Sequence, residues 1–215
     1  MRPTIVSAGP LASASANAIC LSQTPTAALT LNGALVTGGV AVMDNLRRVR
    51  ITTTANETSK TFTVTGTNWA GDVISESIAG VNNTTADSVL DYATVTSIRI
   101  SSAAAGALTV GTNGVGGSPW VRLDEWAPSG VSIQVNASGT VNWTVQQTLD
   151  DPNDPSQPVS VSAVTWINHP DTSLVAATTS IQGNYAYIPR YARVVLNSGT
   201  GSATATFIQS GDTPA

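Results

Sequence analysis

Along most of its length the chain alternates an apolar residue with a short, uncharged polar one. Thr61-Phe62-Thr63-Val64-Thr65, Thr140-Val141-Asn142-Trp143-Thr144-Val145-Gln146 and Ala203-Thr204-Ala205-Thr206-Phe207 all show the pattern. Period two is the strand period, because successive side chains project to opposite faces of a sheet. The pattern predicts strands near 27–32, 37–43, 47–54, 61–67, 72–79, 94–101 and 106–111. A second series is predicted near 120–124, 130–136, 140–149, 159–167, 184–188, 190–197 and 202–209. Turn residues separate them, among them Asn32-Gly33, Gly38-Gly39, Gly66, Gly80 and Asn82-Asn83, where Gly and Asn tolerate positive φ. No long window carries a helical i, i+3, i+4, i+7 stripe. The fold class expected is all-β: two tandem β-sandwich or jelly-roll-like domains with an extended N-terminal arm.

Two strands are out of phase. Glu76 falls on the Ile74/Ile78 face, and Val95 is out of register with Ile98 and Ile100. A bulge repairs each, and an edge strand tolerates the first. Val141, Trp143 and Val145 are expected to face a core, with Asn142, Thr144 and Gln146 outward. Gly111-Thr-Asn-Gly-Val-Gly-Gly-Ser-Pro119 has the composition of a linker. The expected division is an arm over 1–24, a sandwich domain over 25–112, a glycine-rich linker over 113–119 and a second sandwich domain over 120–215. Arg48–Ile51 with Thr61–Gly66, and Arg193–Leu196 with Thr204–Phe207, form a faint internal echo of strand, turn and Thr-alternating strand, which reads either as a duplicated sandwich or as the ordinary look of hairpins in a Thr/Val-rich chain.

Composition narrows the function classes. Charged residues are 10% of the chain, against about 25% in an average soluble domain, so the polar faces are mostly neutral. The net charge of −4 disfavours nucleic acid as a partner, since that needs a basic footprint to displace counterions. Arg47, Arg48 and Arg50 are the only clustered basic residues, and they read better as a solvated or protein-facing strand edge. Cys20 is the single cysteine, so no intrachain disulfide is available. No apolar run is long enough to span a membrane as a helix. The Leu11–Ile19 stretch is broken by Ser13, Ser15 and Asn17, and reads as an ordered or partner-bound arm rather than a leader.

Candidate chemistry is sparse, and no catalytic, cofactor or metal residues are assigned. His169 is the only histidine, with Asp171 two residues away, and no Gly-x-Ser-x-Gly elbow is present. Asp150-Asp151-Pro152-Asn153-Asp154-Pro155 offers oxygens for calcium but lacks the EF-hand glycine and glutamate, and its residues are also turn formers. Trp69, Trp120, Trp126, Tyr185, Tyr187 and Tyr191 are candidates for a sugar-stacking platform, with core or interface burial as the plainer reading. Trp126, before Ala-Pro, is expected on a loop.

Several strings together resemble a widespread tailed-bacteriophage virion protein. They are Leu29–Gly33, Thr61–Gly66 with Ile74–Ile78, Val95–Val110, Val121–Asp124, Ser138–Gln146, Asp150–Pro152, Thr165–His169, Gly183–Ala186 and Leu196–Gly201. The resemblance covers nearly the whole chain, through strand and turn patterns rather than catalytic signatures. It implies a non-enzymatic structural protein, made in the bacterial cytoplasm and carried on the capsid exterior as a decoration or cement protein. The implied partners are the major capsid protein and further copies of the chain, with a surface glycan as a further possibility. Tail, collar or fibre-associated roles, and a carbohydrate-binding module, are the alternatives it leaves open. The docking residues expected are Arg2, Ile5, Val6, Leu11, Ile19 and Leu21 of the arm, together with Trp126. An extended arm can add to a partner's sheet edge through backbone hydrogen bonds.

Overall fold

The computed structural model describes residues 3–124 and 130–209. Its strands in chain order are β1 (Thr4–Ala8), β2 (Ser15–Gln23), β3 (Val36–Thr37), β4 (Val40–Thr53), β5 (Thr61–Thr67), β6 (Val73–Ala79), β7 (Thr85–Asp87) and β8 (Tyr92–Ile100). There follow β9 (Leu108–Gly117), β10 (Val121–Arg122), β11 (Val131–Ser138), β12 (Val141–Thr148), β13 (Ile167–Asn168), β14 (Ile181–Tyr185), β15 (Tyr191–Gly199) and β16 (Ser202–Gln209). The only helical pieces among the described residues are 3-10 turns at Val161–Ala163 and Thr172–Leu174. The protein is all-β, with two sheets and a β-sandwich type of architecture.

The chain divides into two compact units, a continuous one over Ala12–Gly114 and a split one joining Met1–Leu11 to Val115–Ala215. In the split unit β1-β16-β11-β14 form a four-stranded antiparallel sheet. β13-β12-β15 form part of the other sheet, with β10 and the Gly116–Gly117 end of β9 paired to β15. Inward residues of both sheets meet in one apolar cluster that includes Ala8, Val131, Ile133, Val141, Trp143, Val145, Val194, Leu196 and Phe207. Trp143 is fully buried, and its indole N–H donates to the Thr179 carbonyl at 3.2 Å, so its one polar atom is satisfied. Val141 and Val145 share that core as their alternation requires. Thr144, expected to face outward, is buried too, its hydroxyl accepting from the Ala176 N–H and the Asn197 amide.

In the continuous unit the strands lie on one hydrogen-bonded path, β9-β4-β8-β5-β6, with β2 on β9 and both β3 and β7 on β4. The phase irregularities resolve as expected. The β5–β8 register shifts between Thr65 and Gly66, which returns Val95 to the face of Ile98 and Ile100. β6 pairs with β5 without a shift and lies at the end of its sheet, where Glu76 is tolerated half-buried.

Several strand and linker expectations differ from the structure. The strands expected near 37–43 and 47–54 are one strand, β4, whose alternation slips at a register shift between Val42 and Arg47. Residues 27–32 contribute only a bridge between Ala28 and Arg99, because the Gln23 amide takes both backbone groups of Thr30, at 2.8 and 2.9 Å, in place of a strand. Residues 159–167 form a 3-10 turn and the first residue of β13, since the N–H groups of Val159 and Thr165 bond to Asp151 and Asp150. The expected linker is strand up to Gly117. Its Gly111 is required by close approach: a Cβ there would lie 1.7 Å from the Ser15 carbonyl oxygen.

The residues expected to form an arm are extended, but they lie in this chain's own sheets. β1 pairs with β16 and β2 with β9. The internal echo is not a repeated hairpin. β4 and β5 are separated by β8, and β15 and β16 lie in different sheets.

Candidate functional site

The titratable candidates are tied down by their own neighbourhoods. His169 is buried and packs on the Tyr185 ring at 4.5 Å between centroids. Its Nδ1 accepts the backbone N–H of Asp171 at 3.0 Å, while the Asp171 carboxylate caps Ser173 N–H at 2.9 Å. A triad requires the opposite arrangement, with imidazole Nδ1–H donating to a carboxylate. Burial lowers the His169 pKa, against the raising influence of Asp171 and of the Asn184 backbone. The folded protein therefore binds this proton less tightly than the unfolded chain does. Stability is full above the ordinary value of 6.5 and declines as pH falls below it. Melting temperatures of wild type and His169→Asn between pH 7.5 and 5.5 test this; the variant, which keeps an acceptor for Asp171 N–H, is expected to show the flatter profile.

The acidic turn is occupied by its own chain. Asp151 is buried and accepts from Arg190, from the Tyr191 hydroxyl at 3.2 Å and from Asn153 N–H at 2.8 Å. Burial pushes its pKa up, but these donors outweigh that and hold it below the ordinary value. Asp154 caps Ser156 and Gln157, and Asp150 takes Thr165 N–H. These oxygens act as turn and loop acceptors, and no group of three or more His, Cys, Asp or Glu suited to a metal ion occurs among the described residues.

The arginine triplet is likewise engaged. Arg48 pairs with Asp91 at 3.3 Å and Arg50 with Asp87 at 2.7 Å. Arg47 is buried and bonds both oxygens of Asp44 and the carbonyls of Ala12 and Asn113. Cys20 is fully buried, which pushes its thiol up to about 12 and leaves it protonated at neutral pH.

Among the described residues, the aromatic candidates of the split unit do not assemble into one flat platform. Trp120 meets Trp166 edge-on at 5.0 Å and Tyr191 at 5.9 Å. The Arg193 guanidinium lies 4.2 Å above the Trp166 ring, and its donors bond Gln146. Tyr185 and Tyr191 are buried, and the exposed Tyr187 bonds Gln147 through its hydroxyl. Trp69 belongs to the other unit.

Trp69 lies on an exposed turn of the continuous unit. It is 42% exposed, on the five-residue turn between β5 and β6, and Val73, 74% exposed, begins the next strand. The turn is rigid for identifiable reasons. Buried Asn68 accepts from Ala70 and Asp72 N–H, both at 2.9 Å, while its amide donates to the Asp72 carboxylate. Its backbone N–H reaches the Asp72 carbonyl, and Gly71 supplies the positive φ of +87° that closes the loop. Asn68→Ala removes three side-chain bonds and is expected to destabilise this unit by about 2 kcal/mol in denaturant unfolding.

The expected docking residues are dispersed. Ile5 is 63% exposed and Val6 partly buried, both on β1, and Leu21 is exposed on β2. Leu11 and Ile19 are buried core side chains, so in the folded chain they offer no docking surface. Arg2 and Trp126 lie outside the described residues. The exposed apolar positions Val42, Val73, Val89, Leu149, Ile167 and Ile208 were not singled out by the sequence. Alternation marks a strand face for Val42, Val73, Ile167 and Ile208 but not which face stays uncovered, and Val89 and Leu149 lie outside the strands.

No family model, curated protein or solved structure matches this chain. No helix among the described residues is long and apolar enough to cross a membrane.

Proposed function

We propose that this chain is a tailed-bacteriophage virion protein that decorates the outer capsid lattice and stabilises it by docking, without catalysis. The resemblance of its strand and turn strings to such proteins motivates the reading, and a stiff, disulfide-free β-scaffold suits it. The observation that carries it is the Asn68–Asp72 turn, which presents Trp69 and Val73 on a hydrogen-bonded base. A large aromatic side chain left in water on a hydrogen-bonded turn is a poor contribution to folding but a good anchor for a partner, because the backbone that carries it is already ordered before it is covered. Each contact can be modest, since copies on adjacent capsomers gain avidity.

The test is occupancy on expanded capsids by wild type and Trp69→Ala. The variant is expected to bind about thirtyfold more weakly, the effect of losing a hot-spot tryptophan. Because Trp69 is exposed, its unfolding midpoint should match that of the wild type. Equal occupancy overturns the contact. A particle map showing only six or twelve copies, rather than hundreds, replaces decoration with a tail or collar role.

A further inference from the structure

The four strands β1, β16, β11 and β14 contain no charged residue: Thr-Ile-Val-Ser-Ala, Ser-Ala-Thr-Ala-Thr-Phe-Ile-Gln, Val-Ser-Ile-Gln-Val-Asn-Ala-Ser and Ile-Gln-Gly-Asn-Tyr. A sheet edge with free N–H and C=O groups templates pairing with another chain unless something blunts it. The other sheet ends are blunted. β13 has two residues. β6 carries the inward carboxylate of Glu76, engaged by Val89 and Leu90 N–H at 2.8 and 3.0 Å. β14 is interrupted by Gly183, and the Leu174 side chain of a 3-10 turn presses on it, so that a Cβ there would lie 2.5 Å from Leu174 Cδ1. β1 has none of these devices within its five residues. Among the described residues no strand pairs with its outer edge, and Thr4, Ile5 and Ser7 are exposed.

We propose that β1 is a self-association edge, pairing antiparallel with β1 of a second copy about a twofold axis through Val6. The strand is bracketed by Pro3 and the Gly9-Pro10 step, so pairing is confined to Thr4–Ala8 and its centre is Val6. That register sets Ile5 against Ser7 and Thr4 against Ala8 of the second copy, and Val6 against its own equivalent. No pair is like-charged, which matters for a chain of net charge −4 whose copies repel elsewhere. Val6, an inward residue of the unit left partly exposed by its edge position, gains a cover. A two-fold pairing needs a strand compatible with itself, and this one is. A second copy therefore fits the edge better than a foreign strand, for which the edge offers no charge or side-chain pocket. Two four-stranded sheets would become one of eight.

The experiment is sedimentation velocity on the full chain, without capsids, over a concentration series. A dimer is expected. Ile5→Lys combined with Ser7→Lys leaves the buried face untouched and sets like charges directly opposite at two symmetric places. It should weaken dimerisation about tenfold or more. Ile208→Lys, exposed on the neighbouring strand, should leave it unchanged. Mixing the double-lysine chain with one carrying Ile5→Glu and Ser7→Glu should restore a mixed dimer. A monomer at every concentration, a trimer, or a dimer indifferent to the double substitution overturns the proposal. Capsid occupancy plays no part in these outcomes, so the decoration reading stands or falls separately.

Discussion

Gly111→Ala is expected to destabilise the protein by about 3 kcal/mol, the upper end for overpacking a filled interior, while Gly114→Ala leaves stability almost unchanged. Both residues lie in the stretch whose composition reads as a linker, and a flexible linker tolerates alanine at either. The structure separates them. At Gly111 the new methyl would lie 1.7 Å from the Ser15 carbonyl oxygen and 2.7 Å from the Ala16 carbonyl carbon. Backbone atoms cannot swing aside as a side-chain tip can, so β2 or β9 must shift and part of their pairing is lost. At Gly114 nothing lies within 4 Å of the added carbon, and the residue is exposed. Equilibrium denaturation of the two variants decides the matter. Equal midpoints would mean that β2 does not lie against β9 as described.

That glycine cluster shows where the sequence misleads. Four glycines and a proline in nine residues carry the same composition whether the backbone is free or crowded; only the neighbours of Gly111 distinguish the cases. What was legible was local. β5, β12 and β16 follow directly from alternation, and the displaced phase of Val95 announced the irregularity between β5 and β8. What was hidden was long-range pairing. β1 joins β16 across almost the entire chain, so the N-terminal segment reads as an arm until the distant strand is in place. Ile5 and Leu11 look equivalent in sequence, yet one lies on an exposed sheet face and the other in the core. Trp69 was visible as an aromatic residue but not as one carried on a hydrogen-bonded turn, because that depends on both ends of the turn meeting at Asn68.

The neutral alternating faces divide the labour of the protein. A Thr, Ser or Gln side chain on a strand can bond its neighbours across the sheet, as Ser7 does with Thr204 at 2.8 Å and Thr67 with Thr94 at 2.7 Å. Such faces are stiff without depending on salt or pH, unlike a surface built from ion pairs. The few charges are placed where they fasten loops and strands, as at Arg47, Glu57 and Asp151. In the proposed reading, docking falls to the features that break the pattern: the exposed tryptophan turn of the continuous unit and, in the split one, an edge that no described strand pairs.

Glu57→Ala is expected to cost about 4 kcal/mol, the range seen when one partner of a buried ion pair is removed. The carboxylate is fully buried and serves three donors. One oxygen accepts Ala105 N–H at 2.8 Å and Gly106 N–H at 3.1 Å, and the other takes the Lys60 ammonium. Its own backbone is also engaged: its N–H bonds the Val81 carbonyl, and a Cβ on Gly80 would lie 2.0 Å from its carbonyl oxygen. Alanine therefore strands two N–H groups and a nearly buried cation. Glu57→Gln keeps an acceptor for the N–H groups and should cost less than alanine; Lys60→Met leaves the carboxylate with its N–H partners and should also cost less. Burial raises the Glu57 pKa, but Lys60 and the two N–H groups together outweigh it and hold the value below the ordinary 4.5. Stability from this group is thus complete above pH 4.5 and is lost as pH falls through the lowered folded value. Acid titration of the unfolding free energy should consequently be shallower in Glu57→Gln than in wild type. A Glu57→Ala variant within about 1 kcal/mol of wild type, the scale of a solvent-exposed pair, would mean that the carboxylate is not the pin between these loops.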